Sequence, residues 1–201
     1  MISFEEFTLA NGLKVIVHED PDTTMAVVDV IYNVGSRDEE ENLIGFAHLF
    51  EHLMFGGSEN IPSFDTPLQK VGGENNAFTT PDLTNYYISV PAQNIETAFW
   101  LESDRMKQLA FNTQSLETQR KVVIEEFKQR YLNQPYGDVW LKFRPLIYQK
   151  HPYRWHTIGA GIQHIEQAQM SDVKAFFPKH YVPSNAILVV AGRVKVDQVK
   201  A

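Results

Sequence analysis

The sequence predicts a single α+β domain over residues 1–201, built as an antiparallel or mixed sheet with helices packed on it. Apolar segments typical of strands and of helices interleave along the chain, without the regular alternation of a doubly wound parallel sheet. The composition, 43% hydrophobic and 21% charged with 12% aromatic residues, is ordinary for a globular fold and argues against disorder. No repeat, low-complexity segment or linker divides the chain, so the sequence predicts one domain rather than two.

The individual strands and helices follow from local patterning. Asn11-Gly12 lies between two short apolar runs, residues 7–9 and 13–17, and this arrangement is a strong signal for a β-hairpin. Residues 43–55 predict a helix, which the following pair of glycines ends. The same criteria predict further strands at 25–34, 86–90 and 186–191, helices at 62–70, 97–109, 115–132 and 171–177, and a less regular aromatic segment at 133–150.

Charge and composition exclude several classes of function. The net charge is −7 and the 18 basic residues are spread out, so nothing predicts a nucleic-acid or membrane partner. No apolar run approaches the ~18 residues of a membrane-spanning helix. Residues 1–9 lack the pattern of a signal peptide, which fits a cytoplasmic protein and equally the trimmed form of a periplasmic one. The chain has no cysteine, so a bound metal would be held by histidine and carboxylate side chains.

The most informative motif is H-x-x-E-H, formed by His48, Glu51 and His52. Residues four apart lie on one face of a helix, so the two imidazoles can aim at a common point, with Glu51 flanking that face. Two imidazoles suit zinc, and an adjacent carboxylate can take a proton from a metal-activated water. The surrounding helix is apolar on every side, and three ionisable groups within it are costly unless they share a strong partner.

A catalytic zinc site needs a third protein ligand, and Glu125 and Glu126 are the candidates. The helix that carries them has an inward stripe at 100° per residue, which consists of Leu116, Val123, Phe127 and Tyr131. Glu126 falls at the flank of that stripe, whereas Glu125 points nearly away from it. We therefore predict Glu126 as the ligand and Glu125 as a solvated surface charge.

These motifs resemble those of the pitrilysin/insulinase family of inverzincins, in which the order H-x-x-E-H is the signature. The spacing of 74 residues between His52 and Glu126 is similar to that of the family. The similarity extends over nearly the whole chain, and the segments that carry it are residues 45–57, 76–80, 84–87, 120–126, 151–153, 158–159 and 181–185.

The resemblance implies a metallohydrolase domain of the pitrilysin/processing-peptidase type that hydrolyses peptide bonds. It implies Zn²⁺ as the cofactor, a peptide or unfolded protein as the substrate, and Glu51 as the general base. His48, His52 and Glu126 would be the zinc ligands. It also implies that the edge strand with Asn76, Ala77 and Phe78 binds substrate backbone as an added strand. On sequence alone, packing of Phe78 in the core is about as well supported as contact with substrate.

Two departures from the family pattern qualify these implications. The family often has a second glutamate seven residues before the third ligand, and here that position is Gln119, which can hydrogen-bond but brings no charge. Active members of the family also pair this type of domain with a related second one, and we expect that half to lie outside this chain. The partner would then be a homologous domain or subunit, a homodimer being one such arrangement.

Two alternatives to a zinc metallopeptidase stay open on sequence. A non-catalytic scaffold or processing-complex subunit could retain a structural metal, but such a site has no need of Glu51, a carboxylate that does not bind the metal. A hydrolase of this type could also act on a substrate other than a peptide.

Overall fold

The computed structural model describes residues 2–200 and confirms the predicted α+β class. One mixed sheet of six strands has the order β1-β2-β6-β3-β5-β4. The strands are β1 (Glu5–Thr8), β2 (Lys14–Glu19), β3 (Met25–Tyr32), β4 (Glu74–Thr79), β5 (Thr84–Pro91) and β6 (Ala186–Gly192). The helices are α1 (Phe46–Leu53), α2 (Asp65–Lys70), α3 (Ile95–Lys107), α4 (Thr113–Phe127), α5 (Val139–Ile147), α6 (Ile162–Gln167), α7 (Met170–His180) and α8 (Val196–Lys200).

The order of the strands follows from two hairpins, β1-β2 and β4-β5, and longer connections between the other strands. β1 and β2 form the predicted antiparallel hairpin, and Gly12 at its turn has φ +89°, a conformation that favours glycine. β6, formed near the end of the chain, inserts between β2 and β3 and pairs parallel with β2. β3, β5 and β4 complete the sheet in antiparallel register, which leaves β4 at one edge.

The inner face of the sheet and the helices beneath it form the hydrophobic core. Alternate residues of β3 are fully buried, as expected for a strand with one covered face. From the helix side, Phe50 of α1 stacks on Phe176 of α7 and on Tyr181, with ring centroids 5.1 Å apart in both pairs. These aromatic contacts pack the Phe50 face of α1 against the core. The opposite face of the helix carries polar side chains.

A buried ion pair lies in α3, where this helix packs against β5 and the segment before α2. Arg105 is only 1% exposed, and its Nε donates a hydrogen bond to Glu102, one helical turn earlier, at 2.8 Å. The guanidinium also lies over the rings of Phe64 and Tyr86, 4.4 Å and 4.5 Å from their centroids. A buried charge is tolerated only with such compensation, and the hydrophobic pattern of the sequence does not reveal it.

Several segments differ from their sequence predictions, and α6 and α8 lie where no element was predicted. The predicted helix 43–55 is shorter and runs from Phe46 to Leu53, because Gly45 at φ +94° is in the left-handed region and residues before it form turns. Residues 133–150, predicted to be irregular, contain α5, a helix that keeps Pro145 within its last turn. No helix within residues 2–200 is both long and apolar enough to cross a membrane.

Candidate metal centre

α1 brings the two histidines of the H-x-x-E-H motif together. His48 and His52 lie one turn apart on the helix face opposite Phe50, with ring centroids 4.9 Å apart. The side chain of His48 is 9% exposed and that of His52 is 23% exposed, so the pair lies at the border between core and solvent. Such a position gives the imidazoles a rigid support and keeps one side open.

Glu126 reaches the same point from α4, which packs against α1. Its Oε2 lies 3.5 Å from Nε2 of His48 and 3.4 Å from Nε2 of His52. One ligand atom from each of the three residues lies within 4.8 Å of the others, and this is the only such histidine and carboxylate group found among residues 2–200. His151, His156, His164 and His180 take no part in it.

The donor atoms fit a divalent metal ion such as zinc. In a tetrahedral site with ligand distances near 2.0–2.2 Å, neighbouring donor atoms are about 3.3–3.6 Å apart, and the separations between Glu126 and the two histidines, 3.5 Å and 3.4 Å, fall in this range. Burial, and next the nearby His52, lower the pKa of His48 to about 4, so its imidazole is neutral. A hydrogen bond with His52 lowers the pKa of Glu126, which stays ionised. These are the protonation states in which the two residues bind metals.

Glu51 lies beside the three residues of this group but contacts the edge strand β4 instead. Its Oε2 accepts a hydrogen bond from Oγ1 of Thr79, the last residue of β4, at 2.5 Å. Burial raises the pKa of the Glu51 carboxyl, whereas the Thr79 bond acts in the opposite direction. α1 thus presents two converging imidazoles and a separate carboxylate tied to the edge strand.

The neighbouring glutamates of α4 take different directions, as the helical stripe predicts. Glu125 is 60% exposed and pairs with Lys128 at 2.6 Å, whereas Glu126 is 21% exposed and faces α1. The other oxygen of Glu126, Oε1, pairs with Nη2 of Arg130 at 2.7 Å. Sequence reasoning missed Arg130, although its i,i+4 spacing from Glu126 is a recognisable signal for a helical ion pair.

We predict a sharp difference between two adjacent substitutions on α4. Glu126→Gln removes the only carboxylate of the donor group and should weaken zinc binding by at least about 10-fold, whereas Glu125→Gln should leave it unchanged. Competition with a chromophoric chelator measures both affinities, and Glu125→Gln serves as the matched control. Equal losses in the two variants would contradict the orientation of α4.

The edge strand β4 carries the three residues predicted to bind substrate. β4 pairs with β5 on one side only, so within the described residues no strand pairs with its other edge. The backbone N–H of Ala77 donates a hydrogen bond to Oδ1 of the Asn76 side chain at 2.8 Å. Asn76 and Phe78 point to one face of the sheet, and Phe78 is 45% exposed, which excludes packing in the core. Ala77 points to the opposite face, as does Thr79, which contacts Glu51. Gln119 lies half-buried on α4, two turns before Glu126, and its role stays a prediction.

Two convergent histidines, a carboxylate from a second helix and a further carboxylate beside them form the arrangement of hydrolytic metal centres. The chain belongs to the insulinase family of peptidases, family M16, whose sequence profile matches residues 14–150. This confirms the family proposed from the motifs.

Individual relatives agree with the family assignment. The chain is 36% identical over 198 residues to a protein named zinc protease PqqE from Helicobacter pylori. The aligned region covers 97% of this chain and 44% of that protein. It is 28% identical over 194 residues to a probable mitochondrial-processing peptidase subunit beta from Arabidopsis thaliana, with 96% of this chain and 36% of that protein covered. This chain therefore spans less than half of these curated relatives.

Solved structures show the same fold. A crystal structure of a protease from Helicobacter pylori superposes with a TM-score of 0.93 at 35% identity, covering 100% of this chain and 48% of the other. Pitrilysin superposes with a TM-score of 0.84 at 21% identity, and the matched region covers 98% of this chain and 22% of the pitrilysin chain. The six-stranded sheet with its helices is thus a recurring unit within longer chains.

Proposed function

We propose that this chain is the zinc-binding, catalytic-type domain of a metalloendopeptidase. The observation that carries the proposal is the convergence of His48, His52 and Glu126 on one point, with Glu51 beside them and outside the ligand group. A structural metal site would have no use for that extra carboxylate. The names of the relatives, zinc proteases and a processing peptidase, support the same activity.

The proposed roles follow from the positions of the side chains. His48, His52 and Glu126 would hold the zinc. When bound, zinc supplies Lewis-acid polarisation of the peptide carbonyl and acidifies the attacking water. Glu51 accepts the proton of that water on its carboxylate and then transfers it to the nitrogen of the departing amine. The bond from Thr79 holds the Glu51 carboxylate in a single orientation during both transfers.

We also propose that an extended peptide binds along the free edge of β4. Backbone groups of Asn76, Ala77 and Phe78 would pair with the peptide as one more antiparallel or parallel strand, a common mode of peptide recognition. The contact between Thr79 of the same strand and Glu51 supports this binding site, because it would bring a peptide paired with β4 beside the metal centre. The exposed ring of Phe78 would then contact substrate side chains on the outer face of the sheet.

Efficient hydrolysis is proposed to require a second homologous domain or subunit. The relatives are about twice as long as this chain or longer, and a single open domain excludes little water from the scissile bond. The isolated chain should therefore bind zinc but cleave peptides slowly or not at all. A homodimer of this chain is one way to supply the second half.

A chimera tests the proposed activity. This chain would replace the matched region of the Helicobacter pylori zinc protease PqqE, so that the rest of that protein provides a second half. We expect the isolated chain to leave an unstructured fluorogenic peptide almost intact and the chimera to cleave it. Rapid cleavage by the isolated chain would contradict the need for a second half. A chimera that folds and binds zinc but cleaves nothing would favour a non-catalytic subunit.

A further inference from the structure

A buried carboxylate outside the metal centre contacts the first turn of α1. Glu39 is 6% exposed, and it precedes the helix by several residues. Its Oε2 accepts a hydrogen bond from the backbone N–H of Gly45, and its Oε1 accepts one from that of Ala47, both at 2.9 Å. The first N–H groups of a helix have no partner within the helix, so Glu39 satisfies two donors that burial would otherwise leave unpaired.

This arrangement leaves α1 little freedom at its start. Gly45 has φ +94°, and a Cβ at this position would lie 2.9 Å from the carbonyl oxygen of Ile158 and from a methyl carbon of Ile165. Burial raises the pKa of Glu39 well above its ordinary value, and the two backbone N–H groups oppose that rise. A carboxylate is costly to bury, and charge-assisted bonds at a helix N-terminus offset that cost. Each oxygen of Glu39 thus holds one backbone N–H group at the start of α1 in a fixed position.

The position of His48 depends on that geometry. His48 directly follows Ala47, whereas Glu126 approaches from α4, a separate helix. The separation of 3.5 Å between His48 and Glu126 is thus set by how α1 is placed relative to α4, and not by either helix alone. Metal sites tolerate errors of only about 0.2 Å in ligand distance, so a small displacement of the first turn would matter.

We infer that Glu39 is a positioning residue for the metal centre, which fixes the first turn of α1 and thereby places His48 opposite Glu126. The inference rests on the proposed function, since it assumes that these two residues bind the metal. Glu39 itself contacts neither the metal ligands nor the proposed substrate strand. It acts through the backbone of the helix.

The test compares Glu39→Gln with Asp104→Asn. Both replace a buried carboxylate by its amide, and Asp104 likewise accepts a backbone N–H bond, from Asn60 at 3.1 Å, but in the loop after α1. On the metal-free chain, amide hydrogen exchange at Gly45 and Ala47 is measured by NMR. We expect it to accelerate at least about 10-fold in Glu39→Gln and to stay unchanged in Asp104→Asn.

Metal binding is then measured below the melting temperature of every variant, by competition for zinc and by the visible absorption spectrum of bound Co²⁺. We expect Glu39→Gln to weaken zinc about 10-fold or more and to change the Co²⁺ spectrum, and Asp104→Asn to lower the melting temperature alone. A Glu39→Gln variant with a lower melting temperature but unchanged zinc affinity and spectrum would overturn the inference. If the wild-type chain binds no zinc, the proposed function fails, while the exchange rates still decide whether Glu39 holds the start of α1.

Discussion

The wild-type chain should carry about one zinc ion per molecule after purification with zinc, and the double variant His48→Ala/His52→Ala should carry none. The variant removes two of the three donor groups that converge within 4.8 Å, and a single carboxylate cannot hold the ion against water. Elemental analysis of the desalted protein gives the ratio directly. Zinc should also raise the melting temperature of the wild-type chain and leave that of the variant unchanged, because binding stabilises only the folded state with an intact site.

The control for this prediction is His151→Ala/His164→Ala, which removes two imidazoles that lie outside the donor group. This control should retain the full zinc content. Zinc in the His48→Ala/His52→Ala variant at the wild-type ratio would mean that the ion binds elsewhere. A wild-type chain without zinc would mean that the donor group is not assembled unless a second half is present.

Much of this centre could be predicted because it depends on periodicity within single helices. The i,i+4 spacing places His48 and His52 together, and the buried stripe of Leu116, Val123 and Phe127 orients α4 as expected. The same periodicity predicts that Glu126 lies at the flank of this stripe, and in the structure that flank faces α1. Local rules of this kind need no knowledge of how the elements pack.

Contacts between distant elements could not be predicted in the same way. Thr79 is 28 positions from Glu51 in the sequence, and only the packing of α1 against β4 brings them together. The bonds from Gly45 and Ala47 to Glu39 depend on a loop whose path no pattern in the sequence indicates. α5 lies in the aromatic segment that the sequence predicted to be less regular, and it keeps Pro145, a residue that usually breaks helices, within its last turn.

Substitution of Glu51 should separate metal binding from hydrolysis. Glu51→Gln keeps the size of the side chain and an oxygen that can accept the Thr79 bond, but it removes the carboxylate that accepts a proton. We expect the chimera that carries Glu51→Gln to lose at least about 10³-fold in kcat, within the range for a lost general base. The zinc content should stay at one per chain, because Glu51 is not a member of the donor group.

Glu125→Gln in the same chimera is the matched control, since it makes the same chemical change on an exposed carboxylate and should leave kcat unchanged. Loss of zinc from Glu51→Gln would identify Glu51 as a ligand and weaken the case for a base. Full activity with bound zinc would move the proton transfer to another group. Zinc content reports on the ligands, whereas kcat reports on the proton transfer. Only retained zinc combined with a lower kcat therefore supports a catalytic role for Glu51. That combination distinguishes a peptidase from a subunit that keeps a metal without catalysis.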